Sequence, residues 1–295
     1  MLVTMSAVGF GAMAIFARLA YADGADVTAV LFLRFAIGSA VMVGYMVLTR
    51  RRWPRGPNLA ILMAMGGVGY VGQSFAFFSA LNHASAGLVA LLLYLYPFLV
   101  SVLGAAFLRK RLSPGRLAAV IAALLGTALT LGGGLRGEPL GVILGIGAAL
   151  IYSVYILVGS RVLATEDPLA AATVVMIVAA FVFGGLSLLG APRFPAEPSG
   201  WAAVLAIALV STVVAMASFF AGIRLLGAAD AATLSTLEPV VTIFLAAIFL
   251  DEPLHLQQLA GGAIILAAVV WLTRSSEPHH PAAAPQPVEG ARSRA

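Results

Sequence analysis

The chain has 295 residues, of which 61% are hydrophobic and 10% are charged, and its formal net charge at pH 7 is +5. Apolar segments at this density need lipid around them, so the composition excludes a soluble globular domain. The chain contains no cysteine, which excludes disulfides, thiolate metal sites and cysteine nucleophiles. Its basic residues cluster in loops and in the C-terminal tail and form no stripe, so we expect no nucleic-acid partner.

Apolar runs of about 20 residues, the length that crosses a bilayer core, predict an all-α polytopic membrane protein with ten transmembrane helices. Short loops rich in Gly, Pro and Asp separate these runs. Residues 2–22 resemble a signal peptide, but no basic region precedes them, so we expect them to remain as the first span. The predicted spans are 2–20, 27–49, 58–80, 85–107, 115–133, 139–160, 169–190, 201–223, 228–250 and 256–273.

The two halves of the chain resemble each other. Aligning Pro97 with Pro239 brings the second half onto the first without a gap, and Phe77 then falls on Phe219. Five predicted spans lie in each half, and an odd number makes the two copies insert with opposite orientations. We therefore expect a 5+5 inverted-topology repeat, with a first repeat at 1–136, a second at 137–273 and a disordered cytoplasmic tail at 274–295.

The loop charges predict an orientation. Most basic residues lie in loops on one side of the predicted topology, which places both termini of an inner-membrane protein in the cytoplasm. The aligned turns Arg109-Lys110-Arg111 and Asp251-Glu252-Pro253 carry opposite charges. Homologous loops of opposite charge are what inverted insertion predicts.

These features together resemble a known family. The order of spans, Arg34-Phe35 early in span two, the aligned prolines and the turn that contains Glu252 are similar to the EamA-type branch of the drug/metabolite transporter superfamily. The resemblance covers about residues 1–273 and implies an amino-acid or metabolite exporter, the aromatic amino acid exporter group included. The chain departs from the pattern at residues 109–111, where many relatives carry a glutamate, so we assign no acidic role there.

Pro97 and Pro239 are the predicted hinges. Each proline removes an amide donor and frees the carbonyl four residues earlier, which belongs to Leu93 in one span and to Ser235 in the other. Membrane helices tolerate proline, so a kink without function is the alternative. The shared repeat position favours a hinge beside a central cavity.

Two ionisable residues lie inside predicted spans, where an unpaired charge is costly. Glu238 could accept a coupling proton or meet a substrate ammonium, or it could cap the backbone that Pro239 loosens. Arg34 could extend outward to the interface or turn inward toward a substrate carboxylate. Both alternatives stay open for each residue.

Aromatic and amide side chains recur at spacings that put them on one helix face. Three trios have this spacing: Tyr70, Gln73 and Phe77; Tyr94, Pro97 and Ser101; and Thr212, Ala215 and Phe219. With Tyr152 and Tyr155 they predict a slot for a flat, amphipathic solute, although such aromatics often serve packing or face lipid. The predicted substrate-binding residues are Gln73, Tyr70, Phe77, Tyr94, Tyr152, Tyr155, Phe219, Glu238 and Arg34.

The sequence contains no zinc-protease motif, phosphate-binding loop or dinucleotide-binding fingerprint, so we expect no enzyme, cofactor or metal. We expect a secondary transporter that exports small amphipathic metabolites, amino acids among them, by alternating access. The alternatives are a multidrug or organic-cation efflux carrier and a non-transporting membrane receptor or scaffold. The expected partners are a small-molecule solute and the lipid bilayer, and the oligomeric state stays open.

Overall fold

The structure is a computed structural model that describes residues 1–107, 114–132, 137–226, 234–235 and 237–274. The basic turn at 109–111 and the tail beyond residue 274 lie outside the described residues. Within the described part, the chain forms ten helical rods, which we number in chain order. They are α1 (Leu2–Gly11 and Met13–Ala22), α2 (Val27–Leu48), α3 (Gly56–Ala80), α4 (Ala86–Leu93 and Tyr96–Phe107), α5 (Pro114–Gly132), α6 (Pro139–Val162), α7 (Pro168–Leu189), α8 (Pro198–Ala208 continuing to Leu226), α9 (Leu237–Phe249) and α10 (Leu256–Arg274).

Seven of the rods are long and apolar enough to cross a membrane: α1, α2, α3, α4, α6, α7 and α8. The other three contain shorter apolar stretches, at Leu117–Leu129, Leu237–Phe249 and Leu256–Trp271. No β-strand occurs among the described residues. The predicted all-helical, multi-pass membrane architecture is therefore confirmed, whereas the count of ten spans stays a prediction.

Four rods depart from a regular α-helix. The first is interrupted at Ala12, and α4 is interrupted at residues 94–95, just before Pro97. Helices α3 and α8 each contain a π-helical turn, at Met65–Tyr70 and Leu209–Val214. Such turns insert an extra residue into the helical ladder and occur frequently at functional sites.

The helix starts follow ordinary capping chemistry. Asp26 accepts a hydrogen bond from the Ala29 amide at 2.8 Å and so caps α2. Asp167 does the same for two amides at the start of α7. Proline begins α6, α7 and α8, where its missing amide leaves no intrahelical bond unmade. The loop prolines and aspartates thus fix where these rods begin.

The rods pack as a bundle in which distant parts of the chain meet. Helix α1 lies against α8 and α9, and α6 lies against α3 and α4. Three further pairs are α2 with α7, α4 with α9, and α5 with α10. In addition, α2 contacts α8, and α7 contacts α3. Small residues allow close approaches, as at Gly126, where an added Cβ would lie 2.8 Å from the Gly261 carbonyl oxygen.

Candidate functional site

A cavity of about 460 Å³ lies among all the rods except α5 and α10. Its volume falls within the range of small-molecule sites, and apolar and aromatic side chains dominate its wall. All nine predicted substrate-binding residues line it: Arg34, Tyr70, Gln73, Phe77, Tyr94, Tyr152, Tyr155, Phe219 and Glu238. Pro239 also lines the cavity, but Pro97 and Ser101 do not. The expected face shared by Tyr94, Pro97 and Ser101 is therefore wrong, because α4 is interrupted at Tyr94.

Arg34 forms the basic side of the cavity. Its side chain is only 3% exposed, so it does not extend to the membrane interface. The guanidinium Nε donates to Thr212 Oγ1 at 3.0 Å, and Nη2 lies 3.5 Å from the Tyr70 hydroxyl. The guanidinium carbon also lies 4.9 Å from the ring centre of Phe35 and 5.4 Å from that of Phe78. Every one of these partners is neutral.

Both hydrogen-bond partners of Arg34 lie in the π-helical turns. Tyr70 ends the turn in α3, and Thr212 lies within the turn in α8. Thr212 Oγ1 also donates to the carbonyl of Ile207, five residues earlier, at 2.9 Å. The turns therefore bring two polar side chains from different rods to one cation.

Glu238 forms the acidic side, in the first turn of α9. The Tyr94 hydroxyl lies near the Glu238 carboxyl and donates a hydrogen bond to the Ser235 carbonyl. Pro239 has no amide hydrogen to donate to that carbonyl, so the Tyr94 hydroxyl supplies the hydrogen bond instead. Helix α1 comes close here, because Thr242 Oγ1 donates to the Gly11 carbonyl at 2.8 Å.

An almost continuous row of aromatic rings connects the two sides. Its six members are Phe35, Tyr70, Tyr155, Tyr152, Tyr96 and Tyr94. Successive ring centres lie between 5.0 Å, for Tyr96 and Tyr152, and 6.0 Å, for Tyr152 and Tyr155. Sequence reasoning missed Tyr96, whose signal was its alignment with Glu238 across the repeat. The five tyrosines of the row line the cavity and give it an aromatic wall with hydroxyl groups, in which most neighbouring rings meet edge to face.

Gln73 is buried beside this wall, on the same face of α3 as Tyr70 and Phe77. The Ser74 hydroxyl donates to Gln73 Oε1 at 3.3 Å. The trio predicted on α3 therefore lies on the cavity as its spacing indicates.

The two ends of the bundle are built differently. At the end that carries Glu252, the carboxylate of this residue accepts hydrogen bonds from the Ala86 amide at 2.8 Å and the Gly87 amide at 3.3 Å. At the other end, which carries Asp167, the cavity reaches Leu163 and Pro168. Here Arg51 pairs with Asp167, the residue before Pro168. The helix α6 runs from one end to the other.

A profile of the EamA-like transporter family matches residues 1–132 and 139–274, which is nearly the whole described chain. The chain belongs to the EamA-like transporter family. The resemblance to this branch that the sequence indicated is therefore confirmed. The family is one of transporters, which agrees with the absence of enzyme motifs from the sequence.

Two similar proteins show how far the likeness extends. The threonine/homoserine exporter RhtA of Escherichia coli (strain K12) is 28% identical over 241 residues, 80% of this chain and 79% of RhtA. The uncharacterized transporter YcbK of Bacillus subtilis (strain 168) is 29% identical over 272 residues, 85% of each chain. A solved structure, described only as the crystal structure of a protein, superposes with a TM-score of 0.61 at 24% identity, over 92% of this chain and 96% of that one. That superposition supports the fold alone.

Proposed function

We propose that this EamA-like protein exports small amphipathic metabolites, amino acids and aromatic amino acids among them. The observation that carries the proposal is the cavity itself, in which a basic side chain, Arg34, and an acidic one, Glu238, lie apart and an aromatic row runs between them. A solute with a carboxylate, an ammonium and an apolar body matches these three features. The similarity to RhtA, a threonine/homoserine exporter, supports the same class.

We propose two inverted five-helix repeats and alternating access as the mechanism. The packing is the same in both proposed repeats when each of α1–α5 is replaced by its counterpart among α6–α10, and the reverse. The pair α1 and α8 then becomes the observed pair α6 and α3, and the pair α2 and α7 maps onto itself. Residues that align between the repeats also line the same cavity. Two such pairs are Phe77 with Phe219, and Tyr96 with Glu238. The family profile matches two consecutive stretches that resemble the predicted repeats. Rocking of the halves would expose the cavity to each side in turn.

The orientation follows from the basic loops. With both termini in the cytoplasm of an inner-membrane protein, the Asp167 end faces the cytoplasm and the cavity extends toward it. An exporter loads its solute from that side. The Glu252 end then faces outward and is closed by its hydrogen bonds to α4.

Flux measurements in liposomes test the proposal. Purified protein is reconstituted into liposomes. The counterflow of radiolabelled threonine or phenylalanine is then measured with and without a proton gradient. Protein-dependent flux of either amino acid is expected, with nucleosides as the comparison solutes. Correctly inserted protein that moves no solute would leave a receptor or scaffold as the better interpretation.

One observation favours a second candidate, organic-cation efflux. Glu238 lies beside Tyr94, Tyr96 and Tyr152, and an acidic group with aromatic rings is a recognised surround for organic cations. Cation efflux that Glu238→Gln abolishes, in a protein that does not move amino acids, would favour this candidate.

The hinge proposal has its own test. Pro97 lies at the start of the second half of α4, and Pro239 lies in the first turn of α9. Replacing both by alanine restores two amide donors and should slow exchange between the two access states. Unchanged flux in Pro97→Ala and in Pro239→Ala would show that neither proline is a hinge.

A further inference from the structure

Arg34 is a buried cation without an acidic partner among the described residues. The ion pairs in this part of the chain join Arg51 to Asp167 and His83 to Glu138, and neither includes Arg34. At 3% exposure, Arg34 also has little surface through which bulk water could solvate its charge. Burying a guanidinium without an anion is unfavourable, and proteins keep such groups mainly where a partner binds.

The contacts of Arg34 leave one edge of the guanidinium available. The two aromatic rings, Phe35 and Phe78, lie near its carbon, and Thr212 Oγ1 accepts the hydrogen bond from Nε–H. On the Nη edge, only the long 3.5 Å contact to Tyr70 is present, and Nη1 makes no hydrogen bond to the described residues. A planar fork with a free pair of N–H groups matches the two oxygens of a carboxylate.

The cavity also limits the charge of the anion. Arg34 is the only basic residue among the described residues that line it. A phosphorylated solute carries more negative charge and would need further cations, whereas one guanidinium balances one carboxylate. The cavity wall beyond Arg34 is largely apolar and includes several aromatic rings, which suits the apolar body of the solute.

We propose that Arg34 binds the carboxylate of the transported solute, with Thr212 as the positioning residue that orients the guanidinium. The inference rests on the proposed export function and narrows its substrate class to monocarboxylates such as free amino acids. It excludes their amides and esters as good substrates. Thr212 and Tyr70 occupy equivalent positions in the two repeats, so the site lies where α3 and α8 both approach α2.

A pair of solutes that differ only at the carboxylate tests the inference. L-phenylalanine and L-phenylalaninamide share the ring and the ammonium, and only the first carries a carboxylate. In proteoliposomes, the wild-type protein should transport the acid about 10- to 100-fold more efficiently than the amide, as expected for a charged hydrogen-bonded pair. Arg34→Gln should lower transport of the acid by a similar factor, leave the amide unchanged and so remove the preference.

The controls separate recognition from folding. Arg34→Lys keeps the charge but loses the fork, so an intermediate preference is expected. Arg161→Gln removes an arginine on the exposed part of α6 and should leave the preference unchanged. An equal loss of transport for acid and amide in Arg34→Gln would overturn the inference and assign Arg34 a structural role.

Ligand-induced thermal stabilisation in detergent separates this inference from the export proposal. If L-phenylalanine stabilises the wild type, stabilises Arg34→Lys less and does not stabilise Arg34→Gln, and no flux occurs, the carboxylate-site inference is supported and the export proposal is refuted. If amino acids are transported but the wild type and Arg34→Gln prefer the acid to the same extent, the export proposal is supported and the carboxylate-site inference is refuted. If neither L-phenylalanine nor L-threonine is transported by the wild type or stabilises it, both are refuted.

Discussion

Glu252 fastens one end of the bundle, and replacing it by glutamine should loosen that end. The residue belongs to the turn between α9 and α10, and its two carboxylate oxygens accept the Ala86 and Gly87 amides at the start of α4. Asp251 before it adopts a left-handed φ of 51°, which turns the chain sharply. The contact joins the two proposed repeats, so the proposed alternating access requires that it break for this end to open.

The size of the effect follows from the geometry. A hydrogen bond to a charged group contributes about 1.5–3 kcal/mol, and a carboxylate at an exposed helix N-terminus about 0.3–1 kcal/mol. Glu252 is half-buried, and only its 2.8 Å bond to Ala86 is short. Glutamine keeps one acceptor oxygen, so the loss should be about 1–2 kcal/mol, a factor of about 5–30 in the ratio of open to closed states.

Thiol labelling measures this ratio, because the chain has no cysteine of its own. Ala90 is buried and lines the cavity in the first half of α4, so Ala90→Cys reports when the cavity opens. A membrane-impermeant maleimide is applied to intact cells and, separately, to inside-out vesicles. In Glu252→Gln, labelling from the face at the Glu252 end should accelerate about 5- to 30-fold.

The control for this experiment is Glu197→Gln, which removes an exposed carboxylate at the start of α8 without a side-chain capping bond. Its labelling rate should equal that of the parent. If Glu252→Gln does not change the rate from either face, or if the control accelerates equally, Glu252 does not hold this end closed.

Two further substitutions test the packing around the cavity and between the peripheral rods. Tyr94→Phe removes the donor to the Ser235 carbonyl and should lower the free energy of unfolding by about 1 kcal/mol in a denaturant titration. The Tyr152 hydroxyl makes no hydrogen bond to a described residue, so Tyr152→Phe should lower the free energy of unfolding less. Equal losses in the two variants would contradict the hydrogen bond from Tyr94 to Ser235. Gly126→Ala would place a Cβ 2.8 Å from a carbonyl oxygen of α10, so it should cost about 1–3 kcal/mol and lower the thermal midpoint. Gly147→Ala meets no atom within 4 Å and should not lower that midpoint, and a midpoint unchanged in both would refute the close packing.

Much of the candidate site was predictable from side-chain chemistry and spacing. Gln73, Glu238 and Arg34 stand out because polar groups are costly in lipid and therefore turn inward. The i, i+3, i+7 spacing of Tyr70, Gln73 and Phe77 survives because α3 is regular from Val71 onward.

Other features had no sequence signal. The π-helical turns that bring Tyr70 and Thr212 to Arg34 depend on packing against neighbouring rods. Pro97 indicated a break in α4, but the sequence did not indicate that the interruption lies at residues 94–95. The trio on α4 was therefore misplaced. The contact of Glu252 with Ala86 joins residues far apart in the chain, and no local pattern indicates it.

The sequence by itself determined that the chain is a helical membrane protein, where most of its rods begin and which polar side chains must avoid lipid. These properties depend on local composition, because the cost of exposing a peptide or charged group to hydrocarbon does not depend on the fold. The tertiary structure alone decided which aromatic faces line the cavity and which face the surroundings of the bundle. Lipid and protein interior are similarly apolar, so helical periodicity groups residues on a face but does not indicate which way that face points.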